Sequence, residues 1–396
     1  MSSVSYTKKG YQGTLALVGL LLVAINLRPA LTSVSPVLKN IAEGVSLSPA
    51  AQGVLTTLPV ICLGLAAPLA PRLSRRIGPE RTIFIILILL AVTLLARPFT
   101  SMLGLFVFTA LAGACIGIMN VLLPGIVKRD FPTRVSLMTG LYTVALNLGA
   151  SLAAGATEPL RQAFDDQWQP SLAFWLVPAV IAALVWIPQI RIKHTVRMRP
   201  QGGHSLYRSG LAWQVTLFMG LQSSLAYTVF GWLPTILQDR GVAPVTAGLA
   251  LSVSILCQVI TAIVAPLIGS RMKDQRAVLI GVMMLTLCGL AGCLYAPTES
   301  LWLWIVILGL GQGGTFSMAL TLLALRAPDA DTASELSGMA QGFGYVLAAF
   351  GPLLVGLLHD WSGGWDVVGI LLGLIGVGAM AVALGAGRNR LVRQAD

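Results

Sequence analysis

Charge is scarce in this chain, and acidic charge scarcer: 15 Asp and Glu against 26 Lys and Arg in 396 residues, 10% charged in all. Soluble domains carry about 25% charge, so a soluble class is excluded and the 56% hydrophobic content indicates a polytopic membrane protein. Histidine is nearly missing: His194, His204 and His359 all fall in connections, so no metal site or catalytic triad is assembled within the membrane. The five cysteines (Cys62, Cys115, Cys257, Cys288, Cys293) sit in apolar stretches without a Cys-x-x-Cys and read as small buried hydrophobes. Gly309-Leu-Gly-Gln-Gly-Gly314 imitates a phosphate loop but follows no strand and carries no Lys-Ser/Thr, which excludes nucleotide binding. No enzyme chemistry and no cofactor is expected. A cleavable signal is not expected either, because Lys8 and Lys9 precede a hydrophobic stretch too long for one.

Long apolar runs are what the chain does have. Twelve are near membrane-crossing length, at 13–38, 49–73, 81–97, 101–127, 134–158, 171–190, 211–236, 245–269, 276–296, 300–326, 333–358 and 365–387. With both termini cytoplasmic, 21 of the 26 Lys and Arg lie inside, and Lys39, Arg97, Arg161 and Arg240 lie outside. This is the positive-inside pattern, so the net charge of +11 is a topology signal and nucleic acid is not an expected partner. The bilayer is.

Arg28 belongs to neither side. At 1.5 Å per residue it lies roughly 28 Å from Lys9 and roughly 16 Å from Lys39, near mid-membrane, where an arginine costs about 2.5–3.5 kcal/mol and faces a polar interior. Arg28, Thr32 and Ser35 follow an i, i+4, i+7 stripe with Asn26 at its edge. Pro29 frees the Ile25 carbonyl, where a hydrated ion is a possible occupant. No carboxylate is placed to answer the cation, since all acidic residues fall in connections or at span ends, as Glu158, Glu335 and Asp360 do. An anion-handling cavity follows, with uniport, anion exchange or proton movement with the substrate as the coupling modes; a gated proton site at Glu158 or Asp360 is the alternative.

The chain repeats itself weakly. Pro49 and Gly53 align with Pro244 and Gly248, Ala67-Pro68 with Ala265-Pro266, and Gly113, Gly117 and Pro132 with Gly309, Gly313 and Pro328; Gly140 and Gly149 align with Gly342 and Gly351. The offsets stay between 195 and 202. Residues 1–190 and 211–396 therefore read as two six-helix bundles joined by a polar, basic linker at 191–210, the all-α major facilitator architecture with its site between the halves. Polar residues within the spans complete the candidate substrate site: Arg28, Asn26, Thr32, Asn120, Tyr142, Asn147, Gln222, Tyr227, Gln258, Gln312, Gln341 and Tyr345. Amides and phenols donate to a bound anion without adding charge; they also serve as glue between helices.

Asn26-Leu-Arg-Pro-Ala-Leu-Thr-Ser-Val-Ser-Pro36 resembles the first-helix signature of the cyanate permease and 2-nitroimidazole transporter branch of the major facilitator superfamily. The resemblance continues in Val121-Leu-Leu-Pro-Gly-Ile-Val-Lys-Arg-Asp-Phe-Pro132, Gly231-Trp-Leu-Pro234, Lys273-Asp-Gln-Arg276 and Leu336-Ser-Gly-Met-Ala-Gln-Gly-Phe-Gly-Tyr345. It implies a monomeric, multi-pass secondary transporter of the bacterial inner membrane, carrying a small anion such as cyanate or exporting small aromatics stacked on Tyr227, Tyr345 or Trp232. Arg75-Arg-Ile-Gly-Pro-Glu-Arg81 has arginine where that superfamily usually has aspartate, so an ion pair built on the aspartate is not carried over. A receptor that binds without flux is the reading of another class. On the export reading, overexpression raises resistance to 2-nitroimidazoles in a growth assay; unchanged sensitivity counts against it.

Overall fold

The computed structural model describes residues 11–131, 135–191, 206–328 and 330–392. Lys8, Lys9, Pro132 and residues 192–205 of the expected linker lie outside the described residues. Among the described residues there is no strand. In chain order the helices are α1 (Tyr11–Ile25), α2 (Pro29–Thr32), α3 (Leu38–Val45), α4 (Pro49–Ala66), α5 (Leu69–Ile77), α6 (Pro79–Ala96), α7 (Met102–Asp130) and α8 (Val135–Ala163). They continue as α9 (Trp168–Ala173), α10 (Leu176–Trp186), α11 (Gly210–Asp239), α12 (Pro244–Arg271), α13 (Arg276–Tyr295), α14 (Leu301–Leu325), α15 (Ala330–Ser362) and α16 (Asp366–Ala386).

Ten stretches among the described residues are long and apolar enough to cross a membrane. The other two of the expected twelve are α8 and α11, helices of 29 and 30 residues that reach crossing length with less apolar sequences. Their polar residues, such as Tyr142, Asn147 and Ser151 on α8 and Gln222, Ser223 and Tyr227 on α11, lower the hydropathy. Helix starts follow local chemistry. Ser48 accepts the Ala51 N–H and Pro49 opens α4, while Pro244 opens α12. Gly78, at φ +88°, supplies a backbone turn before Pro79 that an L side chain resists.

Most of the aligned glycines make equivalent approaches in both halves, while Gly140 and Gly342 both face open space. A Cβ on Gly113 or Gly117 of α7 would strike the backbone of Pro59 or Leu63 on α4; Gly309 and Gly313 of α14 meet Ser254 and Gln258 on α12 in the same way. A Cβ on Gly149 of α8 would lie 2.0 Å from the Ile25 carbonyl, and one on Gly351 of α15 would lie 2.8 Å from that of Ser224 on α11. The halves also exchange contacts reciprocally. Gly53 of α4 abuts Gly356 of α15, and Gly248 of α12 abuts the Ala154 carbonyl of α8. Buried ties recur as well: Arg129 bridges Glu80 at 2.6 Å in the first half, and Arg326 donates to Gln275 at the corresponding place in the second. Within the Arg75–Arg81 stretch, which lacks the usual aspartate, it is Glu80 that anchors an ion pair.

The two ends of the molecule differ. At the Lys39 end, Lys39 pairs with Asp239 at 2.5 Å, Trp365 Nε1 donates to Asp239 at 3.0 Å and Gln238 donates to the Pro36 carbonyl at 3.2 Å. One apolar core runs there from Val34, Leu38 and Ile41 into Phe230, Leu233 and Ile236 of α11. Toward the Arg129 end, Leu20, Val23, Leu87, Ile116 and Leu123 form a separate core within the first half.

Gly149 is the tightest of these approaches to backbone, at 2.0 Å. Gly149→Ala is expected to destabilise the purified protein by about 1–3 kcal/mol, read as a lowered thermal midpoint in detergent. An unchanged midpoint would show that α8 shifts freely.

Candidate functional site

The first span breaks at the candidate cation. After α1, the Asn26 and Leu27 N–H groups tighten onto the carbonyls of Val23 and Ala24 at 3.0 and 3.1 Å. Arg28 then takes φ −124°, ψ −23°, and Pro29 restarts the chain as the short α2. Proline supplies no N–H and disfavours helical geometry at the residue before it, which accounts for the break. Leu31 and Thr32 N–H both return to the Arg28 carbonyl, at 2.9 and 3.1 Å. Gly149 of α8 comes close against the Ile25 carbonyl, the spot where a hydrated ion is a possible occupant.

The half-buried Arg28 guanidinium lies over two aromatic rings, 5.2 Å from the Phe230 centroid and 5.9 Å from that of Phe316. Its charge also acts on Tyr142, Tyr227 and Tyr345. The Tyr227 ring meets those of Phe230 and Tyr345 edge-on, each at 6.1 Å between centroids. The surrounding groups come from α8, α11, α14 and α15, hence from both halves. Among the described residues no carboxylate pairs with Arg28. Ring faces stabilise the cation by about 0.5–2 kcal/mol but leave its N–H groups to a ligand, and phenol hydroxyls add neutral donors. Such a site suits a small anion with flat faces.

The twelve candidates do not all gather here. Asn26 is buried and donates to the Leu22 and Pro178 carbonyls at 2.8 and 3.1 Å. Thr32 is buried and donates to the Ala150 carbonyl at 3.0 Å. Both side chains tie the first span to its neighbours, Asn26 to α10 and Thr32 to α8, while the Thr32 hydroxyl also lies 3.3 Å from the Arg28 carbonyl. Gln258 donates to Gln312 at 3.3 Å, joining α12 to α14, while Gln222 donates to Ser223 at 2.7 Å with its own carbonyl oxygen unpartnered. Gln341 donates to Ser337 at 2.7 Å on its own helix. Asn147 is buried in α8. Asn120 is half-buried three residues after Gly117, as Phe316 is three residues after Gly313, so the two occupy equivalent places in the halves. Trp232 is away from the cation: it is buried, donates to the Pro352 carbonyl at 3.1 Å and packs edge-on against Trp365.

Sequence reading missed three residues. Phe230 and Phe316 look like ordinary lining in apolar helices; the available signal was Phe230 one turn from Tyr227 and Phe316 one turn from Gln312. Arg97, assigned to a connection, is fully buried: a short 3-10 turn, Arg97–Phe99, folds its guanidinium beneath α2, where Nη1 donates to the Ala30 carbonyl at 3.0 Å. Glu158 is buried too, but its carboxylate takes two hydrogen bonds from Arg161, both at 3.0 Å, so it is held in an ion pair; Asp360 is exposed.

The Major Facilitator Superfamily profile matches residues 20–349 and 215–390. The chain is 35% identical to the 2-nitroimidazole transporter of Escherichia coli (strain K12) over 98% of its own length and 99% of that protein's. It is 30% identical to the cyanate transport protein CynX of the same organism, over 92% and 95%. Its fold is shared with the crystal structure of the D-xylose-proton symporter at a TM-score of 0.72, with 15% identity over 97% of this chain and 98% of that one.

Tyr227→Phe and Tyr345→Phe each remove one neutral donor beside Arg28. With cyanate as a probe anion in a titration of purified protein, each is expected to weaken binding roughly 2- to 12-fold, the equivalent of about 0.5–1.5 kcal/mol. Unchanged affinity in both would take the phenols out of the site.

Proposed function

This chain belongs to the major facilitator superfamily and is a multi-pass membrane transporter rather than an enzyme, and we propose that it carries a small monovalent anion, cyanate-like in size and flatness, by alternating access. The observation that carries this reading is the Arg28 guanidinium, flanked by Phe230 and Phe316 and left without a carboxylate among the described residues. A bound anion supplies the missing charge, and the phenols of Tyr142, Tyr227 and Tyr345 supply donors that do not trap it.

Residues 1–190 and 211–396 act as the two moving bundles, α8 and α11 cross the membrane as the fifth and seventh spans, and 191–210 links the halves. With both termini cytoplasmic in the inner membrane, the Lys39 end is external. The core shared by the halves at that end and the Lys39–Asp239 pair support a closed outer side. Glu158 is paired and Asp360 lies exposed at the end of its helix, so transport is uniport, anion exchange or movement of a proton with the substrate itself. The aromatic walls favour a second reading, in which a flat ring such as a 2-nitroimidazole lies against Phe230, Tyr227 and Tyr345.

Uptake of labelled cyanate into proteoliposomes tests the first reading. Arg28→Ala and Arg28→Gln are expected to abolish uptake while the thermal midpoint stays within a few degrees of the parent. Normal uptake by either variant would overturn the reading.

A further inference from the structure

His359, the one histidine among the described residues, sits where the two halves meet. It lies half-buried on the last turn of α15, at the Lys39 end. Its Nε2 faces Asp239 Oδ2 at 3.9 Å, and Trp365 Nε1 donates to the same oxygen at 3.0 Å. The other oxygen, Oδ1, holds Lys39 at 2.5 Å. Asp239, His359 and Trp365 belong to the second half and Lys39 to the first, so this carboxylate is a clasp between them. The imidazole lies against the Trp365 ring, 4.2 Å between centroids, and its Nδ1 is buried without a hydrogen-bond partner.

An imidazole changes charge near neutral pH, in the range an outer surface meets. The charges around this one are few. Asp239 and Asp360 favour its protonated form, and Lys39 opposes it. Of the other helices packed against α15, α4 and α14 carry no charged residue, and α16 brings only Asp366. Glu43, on the helix of Lys39, is exposed, and the Arg240 guanidinium donates to the Cys293 and Ala296 carbonyls.

These influences divide by half. Asp239 and Asp360 travel with His359, so they favour the proton whether this end is closed or open. What opposes the proton belongs to closure. Lys39 comes from the other half, the ring is partly desolvated, and a protonated ring carries an N–H on Nδ1 that nothing accepts. Opening removes Lys39 and admits water, so the open form binds the proton more tightly. By reciprocity, a bound proton favours opening.

We propose that His359 is a proton-binding site that loosens the Lys39–Asp239 clasp, so that acid opens this end of the molecule. The proposal rests on the alternating-access part of the functional reading and is independent of which anion is carried.

The test places spin labels on Glu43→Cys in the first half and Glu299→Cys in the second, both exposed positions. It uses the full-length protein without substrate, its five native cysteines replaced by alanine. From about pH 8 to about pH 5.5, the ratio of long to short inter-label distances is expected to rise at least about fivefold, the lower end of ordinary coupling between sites. His359→Gln, neutral throughout, is expected to keep the alkaline ratio at both pH values. His359→Lys, with a fixed charge, is expected to show the acid ratio at both. Lys39→Gln removes the clasp and is expected to raise the ratio and flatten its response to pH. A parent ratio that acid leaves unchanged or lowers would overturn the switch, as would a response that survives His359→Gln. A single, unchanging distance in every variant would sink alternating access at this end and take the switch with it; two distances in a fixed ratio would sink the switch alone.

Discussion

A half-buried guanidinium at mid-membrane depth, with no carboxylate partner among the described residues, governs the centre of this molecule. Full desolvation of an ion costs several kcal/mol, so the protein must surround Arg28 with dipoles, ring faces and accessible space. The surroundings of the first span follow from that demand. Pro29 breaks the helix so that the side chain leaves the line of its neighbours, and Gly149 lets α8 close over the carbonyl the break exposes. Arg97 reaches beneath α2 to hold the Ala30 carbonyl, so a second buried cation steadies the segment that presents the first. The rings of Phe230 and Phe316 come from the opposite half, which makes the electrostatics of one bundle dependent on the packing of the other.

Much of this was legible in the sequence, for identifiable reasons. Apolar runs of crossing length show up through composition alone, and the paired glycines mark where backbones meet because any larger residue there would collide. Those pairs carry more than their weak similarity suggests: each repeats a specific approach, Gly117 on Leu63 and Gly313 on Gln258. Arg28 was legible because nothing else charged lies near its depth.

What escaped the sequence depended on where helices break and turn. A regular 3.6-residue stripe put Thr32 beside Arg28, and its hydroxyl does reach the Arg28 carbonyl, but its shorter tie to Ala150 on α8 carries no mark in the sequence. Arg97 sits where a connection was expected, and only the turn back under α2 reveals a buried residue. The phenylalanines carry no polar mark, so their role is visible only once a cation lies over their faces. Among the amides, whether a residue lines space or ties helices is a matter of partners: Gln258 found Gln312, and Gln341 found Ser337.

The approach of Gly149 to Ile25 has a counterpart in that of Gly351 to Ser224, and three residues beyond Ile25 and Ser224 stand Arg28 and Tyr227. The two halves thus answer one position with opposite chemistry, a fixed charge on one side and a neutral phenol on the other. A scaffold near twofold symmetry then has a lopsided grip. As the bundles rock in the proposed cycle, an anion held by Arg28 rides as freight on the first half, while the second half comes and goes as its lid.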